Sequence, residues 1–422
     1  MGLQQFFANT SLITYGRAIR SAPRNVILSP VLLISALIYA SAGIVLTWDQ
    51  GAGASVPSLK GFSDQFSIKS GSNAESVRSF VALVYIGDAI GAGLSFFLND
   101  RVGRRWAYRC YTAVWISGYI TLVSSRTVTG LYASRIIAGI GIGALSVSSP
   151  MSIIEIAPPE IRGLLGAWYT VCQGLGLMTS NFCIYGIQLH VAASRLQYQI
   201  AYCAPIIFMS TLVVASFFIP ESPRWLILAD RHDDAKAALV RLRRLPEDHP
   251  RVEDEMREIV ESLRGETELN NHSLSSFHSI GVIVRETFTT KANLRRLQQV
   301  LVLYALPQLS GGNSFTNYFI PILKIVGAYE SSTHGLLLNG LYGMSKFFFS
   351  LIVSFFLIDV VGRRGSLLLG ISIQLSANIY LSVYTKLQQD GRSTPLAANG
   401  ALAFMFIQAF GYTSGKNLYP TL

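Results

Sequence analysis

The sequence Asp100-Arg-Val-Gly-Arg-Arg105 returns almost unchanged as Asp359-Val-Val-Gly-Arg-Arg364, 259 residues further along the chain (359 − 100). Each copy follows an apolar run that is long enough to cross a lipid bilayer. One basic cluster after an apolar helix is typical of a cytoplasmic anchor, but a repeated one indicates two related membrane halves. Parallel repeats of this kind are typical of secondary transporters, which hold their substrate between the halves near the bilayer midplane.

The composition is that of a protein with many membrane spans. Of its 422 residues, 50% are hydrophobic and 14% are charged, whereas a soluble chain carries about 25% charged residues. The net charge of +10 comes from basic residues beside the apolar runs, which indicates the positive-inside pattern rather than nucleic-acid binding. We therefore expect the lipid bilayer as a partner, no nucleic acid as a partner, and a cytoplasmic N-terminus. These basic residues are Arg17, Arg20 and Arg24 before the first run, Arg101, Arg104, Arg105 and Arg109 after the second, and Arg363 and Arg364 after the eighth.

Ten apolar runs of about 20 residues predict ten transmembrane helices and an all-α membrane fold. The runs lie near 32–54, 79–99, 107–125, 129–150, 164–187, 200–219, 298–322, 335–358, 366–386 and 397–420. A charged segment, 220–296, separates an N-terminal half of six spans, 1–219, from a C-terminal half of four spans, 297–422. Within this segment, apolar residues recur at helical spacing from 230 to 264, which favours short amphipathic helices under the membrane domain over a solvated linker.

The charged side chains Asp49, Asp88, Arg135 and Lys346 lie inside predicted spans, where a charge is costly unless it is paired or faces water. Asp49 is in the first span and Arg135 is in the fourth. Asp88 and Lys346 precede the two repeated turns by 12 and 13 residues (100 − 88 and 359 − 346), so they occupy near-equivalent positions in the two halves. For Asp49 the alternative is a place at the outer membrane surface. Lys346 either binds an acidic substrate or pairs with a carboxylate.

After Gln298 and Gln299 at its start, the seventh run carries three further amide side chains. Amides both donate and accept hydrogen bonds and therefore suit a ligand covered in hydroxyl groups. Gln308, Asn313 and Asn317 are spaced by five and four residues, close to one broad helix face. The pair Gly311–Gly312 favours a break in the helix, which exposes backbone groups. The alternative is that the amides bond across helices as packing contacts.

Two further motifs complete the pattern. Between the fourth and fifth spans lies Pro150-Met-Ser-Ile-Ile-Glu-Ile-Ala-Pro-Pro-Glu-Ile-Arg-Gly163, in which Glu155 and Arg162 suit two helix ends whose charges meet. The sixth span ends in Pro220-Glu-Ser-Pro-Arg-Trp225. Together with the repeated turns, these motifs resemble the sugar porter family of the major facilitator superfamily, and the resemblance runs from the first span to the last residue. One departure is Ser152, where the family has a Tyr.

The resemblance implies the major facilitator fold, in which two pseudo-symmetric helical halves open in turn to the two sides of the membrane. In proton-coupled members an Asp of the first span faces an Arg of the fourth, and Asp49 and Arg135 match those positions. Charged residues at the cytoplasmic helix ends latch the halves together, although a static surface cluster is the alternative. The implied cytoplasmic gate consists of Asp100, Arg104, Arg105, Glu155, Arg162, Glu221, Arg224, Asp359, Arg363 and Arg364.

The substrate site is also implied by the resemblance. The seventh span resembles the family pattern Gln-Gln-x-x-Gly-x-Asn-x-x-x-Tyr-Tyr, with Pro307 in place of the first Gln and Asn317 in place of the first aromatic residue. In the fifth span the family has a Gln where this chain has Thr170, and Gln173 follows about one turn later. These departures leave a disaccharide, a polyol or a polyhydroxylated acid such as quinate as candidate substrates. The predicted substrate-binding residues are Gln308, Asn313, Asn317, Tyr318, Gln173 and Lys346.

The chain ends at Leu418-Tyr-Pro-Thr-Leu422, where the family continues with a Glu, a loop and two further spans. We interpret this as a shortened carrier, with a ten-span protein as the alternative.

The sequence therefore predicts a proton-coupled carrier of a sugar or a related polyhydroxylated solute, acting as a monomer in the plasma membrane by alternating access. Facilitated diffusion, a non-transporting nutrient receptor and an inactive truncated carrier are the alternatives. We expect no enzyme activity, no cofactor and no metal, because the sequence shows no nucleophile, metal-ligand or phosphate-loop constellation.

Overall fold

The computed structural model describes residues 16, 23–66, 74–269, 285, 287–309, 311–327, 332–354, 358–392 and 394–416. Every regular element within these ranges is a helix. The predicted all-α fold is therefore confirmed.

The N-terminal part is a bundle of long helices around one apolar core. A proline begins α2 at a position where the missing N–H costs nothing. The core contains large buried aromatic side chains such as Tyr39, Trp115 and Tyr198. The helices are α1 (Arg24–Ile27), α2 (Pro30–Ala40), α3 (Ala42–Ser55), α4 (Lys60–Phe66), α5 (Ala74–Val102), α6 (Arg104–Ser124), α7 (Val128–Ile156), α8 (Arg162–His190) and α9 (Leu196–Ala215).

Three shorter helices and a second bundle follow. The second bundle has its own apolar core, which includes Phe319, Tyr342 and Met405. The helices of this region are α10 (Pro223–Leu228), α11 (His232–Arg243), α12 (Pro250–Leu269), α13 (Lys291–Leu309), α14 (Gly312–Asn317), α15 (Phe319–Val326), α16 (Ser332–Ile352), α17 (Ile358–Gln389) and α18 (Pro395–Lys416).

Seven stretches in the described ranges are long and apolar enough to cross a bilayer, whereas the sequence predicts ten. The helices α6 and α8 have spanning lengths, 21 and 29 residues, but they direct polar side chains into the bundle. Thr112 on α6 and both Ser180 and Asn181 on α8 are buried. The seventh predicted span is also missing from the seven stretches, because it consists of the three helices α13, α14 and α15 rather than one helix.

The break in this span lies at the glycine pair, as predicted. Gly311 has φ +77°, in the left-handed region that favours glycine. Gly312 faces a different constraint, since an added Cβ would lie 2.1 Å from the ring of Tyr412. Backbone conformation at one position and space at the next therefore both require glycine here.

The outer faces of the long helices are apolar. On α17 the exposed side chains Leu368, Ile371, Leu375, Ile379 and Val383 recur every three or four residues along one helix face. A stripe of this length exposed to water would promote association, whereas lipid tails solvate it. The chain is therefore a multi-pass membrane protein.

The two repeated turns share one backbone conformation. Gly103 has φ +91° and ψ 159°, and Gly362 has φ +76° and ψ 160°. This region of backbone space is open essentially to glycine alone. The repeat in the sequence is thus also a repeat in chain geometry, and it explains the glycine at the fourth position of both turns.

The linker helices pack into a small core of their own. Leu226 on α10, Ala235 and Ala238 on α11 and Leu263 on α12 are buried together. These positions follow the helical spacing in the sequence.

An arginine attaches the linker to the N-terminal bundle. The Arg243 guanidinium, which is buried, donates to the carbonyl oxygen of Ile156 at the C-terminal end of α7, at 2.9 Å. It also binds the carboxylate of Glu255 on α12, with Nε 2.9 Å from Oε2. A cation at this place stabilises the negative end of the α7 dipole as well as joining three helices.

Helices α5 and α7 meet at backbone contact. A Cβ added to Gly91 would lie 2.0 Å from the carbonyl oxygen of Ile140, and one added to Gly143 would lie 2.0 Å from that of Asp88. Small residues at such crossings are the usual means of close helix packing in membranes.

Gly143→Val is expected to destabilise the folded protein, because the added side chain would overlap the backbone of α5. Overpacking costs about 1–3 kcal/mol in most cores. We expect a lower apparent melting temperature for the detergent-purified protein, measured by size-exclusion chromatography after heating. Gly186→Ala on α8 is the control, since no atom lies within 4 Å of the added Cβ. Equal melting temperatures for the two variants would contradict the packing argument.

Candidate functional site

A buried ion pair joins α3 to α7. Two guanidinium nitrogens of Arg135 donate to the two carboxylate oxygens of Asp49, at 2.6 and 2.9 Å. The two side chains are 1% and 4% exposed. The ionisable residues of the first and fourth predicted spans are therefore in direct contact and buried within the protein.

The other polar groups of this pair are also satisfied. The Tyr119 hydroxyl on α6 donates to Asp49 at 2.8 Å, and Arg135 Nε donates to the carbonyl oxygen of Phe80 on α5 at 3.0 Å. The guanidinium also lies 4.5 Å from the centre of the Phe80 ring. A bidentate, fully hydrogen-bonded pair is the arrangement in which Coulomb attraction best offsets the cost of desolvation.

A small cavity, partly open to solvent, lies between the N-terminal and C-terminal bundles. Three of the predicted substrate-binding residues line it, namely Gln173 on α8, Asn313 on α14 and Lys346 on α16. The other described lining residues are Thr47, Gln50, Thr170, Gly174, Leu177, Ser350, Tyr412 and Thr413. Most of the lining thus carries amide or hydroxyl groups, which bind hydroxylated ligands.

Sequence reasoning missed Gln50, although a signal for it exists. Gln50 follows Asp49 directly in a span, and an amide there is as costly to bury as those of the seventh span. Successive residues of a helix point about 100° apart. Asp49 therefore contacts α7 while Gln50 lines the cavity. The ion pair and the cavity are adjacent on one helix.

Three predicted residues do not line this cavity. Asn317 instead donates to the Tyr85 hydroxyl at 2.7 Å and links α14 to α5. Tyr318 packs against the N-terminal apolar core, and Gln308 is exposed on α13. The break at Gly311 interrupts the helical spacing between Gln308 and Asn313. Asn317 follows Asn313 by about one turn on α14, but its amide binds Tyr85 instead of lining the cavity.

Lys346 reaches the cavity from the C-terminal bundle. Its ammonium donates to the Thr316 hydroxyl at 2.6 Å. It lies 4.8 and 5.3 Å from the ring centres of Tyr412 and Tyr342. Ring faces stabilise a cation by about 0.5–2 kcal/mol, so this corner of the cavity is built for a positive charge.

Asp88 occupies the near-equivalent position in the N-terminal bundle. It is partly buried on α5, and its Oδ1 has no hydrogen-bond partner among the described residues. It lies within electrostatic range of Asp49, Tyr85 and Tyr169. The two near-equivalent positions of the repeat thus carry residues of opposite charge type.

Side-chain hydrogen bonds join the two bundles at the end away from Gly103. Asn181 on α8 donates to the carbonyl oxygen of Asn339 at 3.0 Å, and the Asn339 amide donates to the Ser55 hydroxyl at 2.8 Å. Ser55 ends α3 and Asn339 lies in the first half of α16. With the Asn317–Tyr85 bond, these contacts link the two bundles at three places.

The N-terminal residues of the predicted gate form a charge network at the opposite end. The Arg104 guanidinium makes two 2.8 Å bonds to Glu155 and one of 2.9 Å to Asp100. Arg104 and Glu155 are 2% and 7% exposed, whereas Asp100 is 66% exposed. The Ser222 hydroxyl donates to Glu155 at 2.6 Å, which brings the start of the linker into the network.

Glu221 binds the first turn from the linker side. It accepts hydrogen bonds from the backbone N–H groups of Arg105 and Ser222, each at 3.0 Å. Burial raises the pKa of Glu221, and these hydrogen bonds and the charge of Arg105 partly oppose the rise. The Trp225 indole also donates to the Asp100 carbonyl oxygen at 2.8 Å, so the turn and the linker form one unit.

The remaining residues of the predicted gate lie outside the network of Arg104 and Glu155, or their side chains are not described. Glu155 pairs with Arg104 rather than with Arg162, which is exposed at the start of α8. The expected contact between Glu155 and Arg162 is absent from the described residues, because the bidentate partner comes from the neighbouring turn. Arg224 is half-buried on α10 and Arg364 is exposed on α17. The side chains of Asp359 and Arg363 lie outside the described part, so the latch between the halves stays a prediction.

Glu155→Gln is expected to destabilise the fold strongly, because it leaves the buried Arg104 charge without its bidentate partner. Removing one member of a buried ion pair typically costs about 3–5 kcal/mol. Asp100→Asn is the matched control, since it removes a carboxylate from the same guanidinium but at an exposed position, where the cost is about 1 kcal/mol or less. Thermal unfolding of the purified variants measures both effects. A larger shift for Asp100→Asn than for Glu155→Gln would contradict this ranking.

Comparison with known sequences finds related proteins over most of the chain. A family model described as "Sugar (and other) transporter" matches residues 35–421. The chain is 30% identical over 389 residues to the low-affinity glucose transporter HXT1 of Saccharomyces cerevisiae, covering 90% of this chain and 65% of that protein. It is 28% identical over 415 residues to a probable quinate permease of Aspergillus flavus, covering 95% of this chain and 75% of that protein. The chain spans 65% of the length of the hexose transporters that it matches.

Comparison with solved structures identifies the fold. The structure superposes on the partially occluded inward-open conformation of the xylose transporter XylE from E. coli with a TM-score of 0.72 and 19% identity, covering 92% of this chain and 85% of that one. A second structure of the same major facilitator protein gives a TM-score of 0.72 at 20% identity. The predicted major facilitator fold is confirmed.

Proposed function

The chain belongs to the sugar (and other) transporter family, and we propose that it is a secondary transporter of a small polyhydroxylated solute. The cavity between the two bundles carries this proposal, because its described lining combines amide and hydroxyl groups from both sides. Such groups replace the hydrogen bonds that water makes to a sugar, a polyol or a hydroxy acid. The relatives are named as hexose transporters and quinate permeases, and both hexoses and quinate are small polyhydroxylated solutes.

The proposed driving force is a proton gradient acting on the ion pair of Asp49 and Arg135. Protonation of Asp49 removes the negative charge that compensates the guanidinium in a low-dielectric environment. The uncompensated Arg135 then favours a different packing of α3 and α7. Since Gln50 follows Asp49 on α3 and lines the cavity, a shift of this helix changes the solute site at the same time.

The structure corresponds to an inward-facing state in this proposal. The hydrogen bonds between the bundles lie at the end away from the repeated turns, and the positive-inside pattern assigns the turns to the cytoplasm. The cavity then opens towards the cytoplasm. We propose a monomer as the transport unit. We also propose the plasma membrane as its location.

Asp49→Asn is expected to abolish solute accumulation driven by an imposed proton gradient in proteoliposomes, while solute exchange without a gradient persists. The amide removes the one titratable member of the pair, so the equilibrium between the two states no longer depends on proton concentration. Accumulation of labelled hexoses, polyols and hydroxy acids is the measurement.

The matched control is Asp64→Asn, which removes an exposed carboxylate on α4. This variant should keep gradient-driven accumulation. If Asp49→Asn keeps it too, the coupling role is refuted and facilitated diffusion replaces proton symport as the mode of transport.

Gln173→Ala and Asn313→Ala are each expected to weaken solute binding about 2- to 10-fold, because each removes a hydrogen-bonding group from the cavity. Isothermal titration of the purified protein with the transported solute gives the dissociation constants. Gln65→Ala removes an exposed amide on α4 and serves as the control. Unchanged dissociation constants in both cavity variants would show that the solute binds elsewhere.

A further inference from the structure

We propose that a groove between α6 and the linker helices α10 and α11 binds the phosphate headgroup of an anionic phospholipid. The groove lies at the end of the structure that carries Gly103, which the positive-inside pattern assigns to the cytoplasmic membrane surface. It shares no described lining residue with the solute cavity. The proposal therefore goes beyond the transport function and concerns a second site.

The formal charges of the groove favour an anion. Its ionisable lining residues are Arg105, Arg231, Arg241, Glu221 and Asp234. Both carboxylates already have partners, since Asp234 binds Arg231 at 2.7 Å. Glu221 accepts the backbone N–H group of Arg105 and lies within electrostatic range of its guanidinium. Three cations and two anions leave one positive charge over, which a singly charged anion compensates.

Two guanidinium groups from different helices lie near each other in this groove. Arg105 on α6 donates to the carbonyl oxygen of Ile219 at 3.0 Å, and Arg241 on α11 donates to that of Phe218 at 3.0 Å. Because these carbonyl groups belong to consecutive residues, they hold the two cations on the same short stretch of backbone. A carbonyl oxygen carries no formal charge, so it orients a guanidinium without neutralising it.

A phosphodiester is the anion that matches these two cations. The planar guanidinium presents parallel N–H groups at the spacing of phosphate oxygens, which makes arginine a common partner of phosphate. A phosphodiester also carries one negative charge, equal to the charge left over in the groove. A headgroup held by Arg105 and Arg241 would join the N-terminal bundle to the linker.

Exposed aromatic side chains beside the groove favour a lipid over a soluble phosphate. Trp106, which lines the groove, is 48% exposed, and Phe217 and Phe218 are 55% and 74% exposed. Phe218 also supplies the carbonyl oxygen that binds Arg241, so apolar surface and cation adjoin directly. Aromatic residues are enriched at the headgroup level of membranes, and the cytoplasmic leaflet is rich in anionic lipids. The acyl chains then lie along the rings while the phosphate lies in the groove.

Arg109 holds the aromatic wall in place from the inside. Its guanidinium lies 4.6 Å from the ring centre of Trp106 and 3.8 Å from that of Phe217. It also donates to the hydroxyl and carbonyl oxygens of Ser216, at 2.9 and 2.7 Å. Arg109 is buried and lies within electrostatic range of Arg105, so it adds positive potential behind the groove.

Thermal unfolding of the full chain in a nonionic detergent tests the proposal, because a ligand that binds the folded state raises the melting temperature. Dioctanoyl phosphatidylglycerol is compared with dioctanoyl phosphatidylcholine, whose headgroup has no net charge, and with glycerol phosphate, which has no acyl chains. We expect phosphatidylglycerol to act at a concentration about 10-fold lower than either of the other probes.

Four variants assign the effect to the groove. Arg241→Gln is expected to raise the apparent dissociation constant of phosphatidylglycerol about 5- to 10-fold, and Arg241→Lys, which keeps the charge, should raise it less. Trp106→Ala should weaken binding of the lipid and leave the weak response to glycerol phosphate unchanged. Arg264→Gln is the matched control, since it removes an exposed arginine of α12 that does not line the groove.

Each contrary result overturns a different part of the proposal. Equal responses to phosphatidylglycerol and phosphatidylcholine overturn the selection of an anion. A response to glycerol phosphate as strong as that to the lipid overturns the lipid as the occupant. A preference for phosphatidylglycerol that is unchanged in both Arg241→Gln and Trp106→Ala overturns the assignment to this groove. The transport experiments on the solute cavity are decided separately from all three.

Discussion

The whole arrangement depends on keeping one ion pair out of water. The charges of Asp49 and Arg135 are tolerable inside the bundle because donors and acceptors from several helices surround them. Helix α3 supplies the carboxylate, α7 the guanidinium, α6 the Tyr119 hydroxyl and α5 the Phe80 carbonyl oxygen. The glycine contacts between α5 and α7 bring that carbonyl within reach. Protonation of one oxygen atom of Asp49 would therefore change the electrostatic contacts of groups on all four helices.

The two bundles share a repeat but differ in what their charges contact. In the N-terminal bundle, buried charges meet each other, both in the ion pair and in the network of Arg104 and Glu155. In the C-terminal bundle, Lys346 lines the cavity and contacts the Thr316 hydroxyl. The opposite residue types at positions 88 and 346 follow this division. Under the proposed function, the N-terminal bundle responds to protons, both bundles contact the solute, and the cavity between them couples the two events.

The sequence predicts features that depend on local constraints and misses those that depend on neighbours. The repeated turns and the break at Gly311 are readable because each requires a backbone conformation that glycine adopts. The helical spacing of apolar residues from 230 to 264 predicts the linker helices. The amides of the seventh span are different, because helical spacing does not continue across a break, and Gln308 lies on the far side of it from Asn313. Likewise, Glu155 pairs with Arg104 on another helix, and nothing in the order of residues 155–162 indicates that partner.

The docking of the linker onto the N-terminal bundle has a mechanical consequence. Arg243 joins it to the end of α7, and Arg251 binds Glu160 beside the start of α8, at 2.6 Å. In the proposed transport cycle, a tilt of α7 and α8 would carry α11 and α12 with it through these contacts. The far ends of α11 and α12 would then move further than their attached ends. An antibody fragment bound to the outer face of α12 would add drag to that movement.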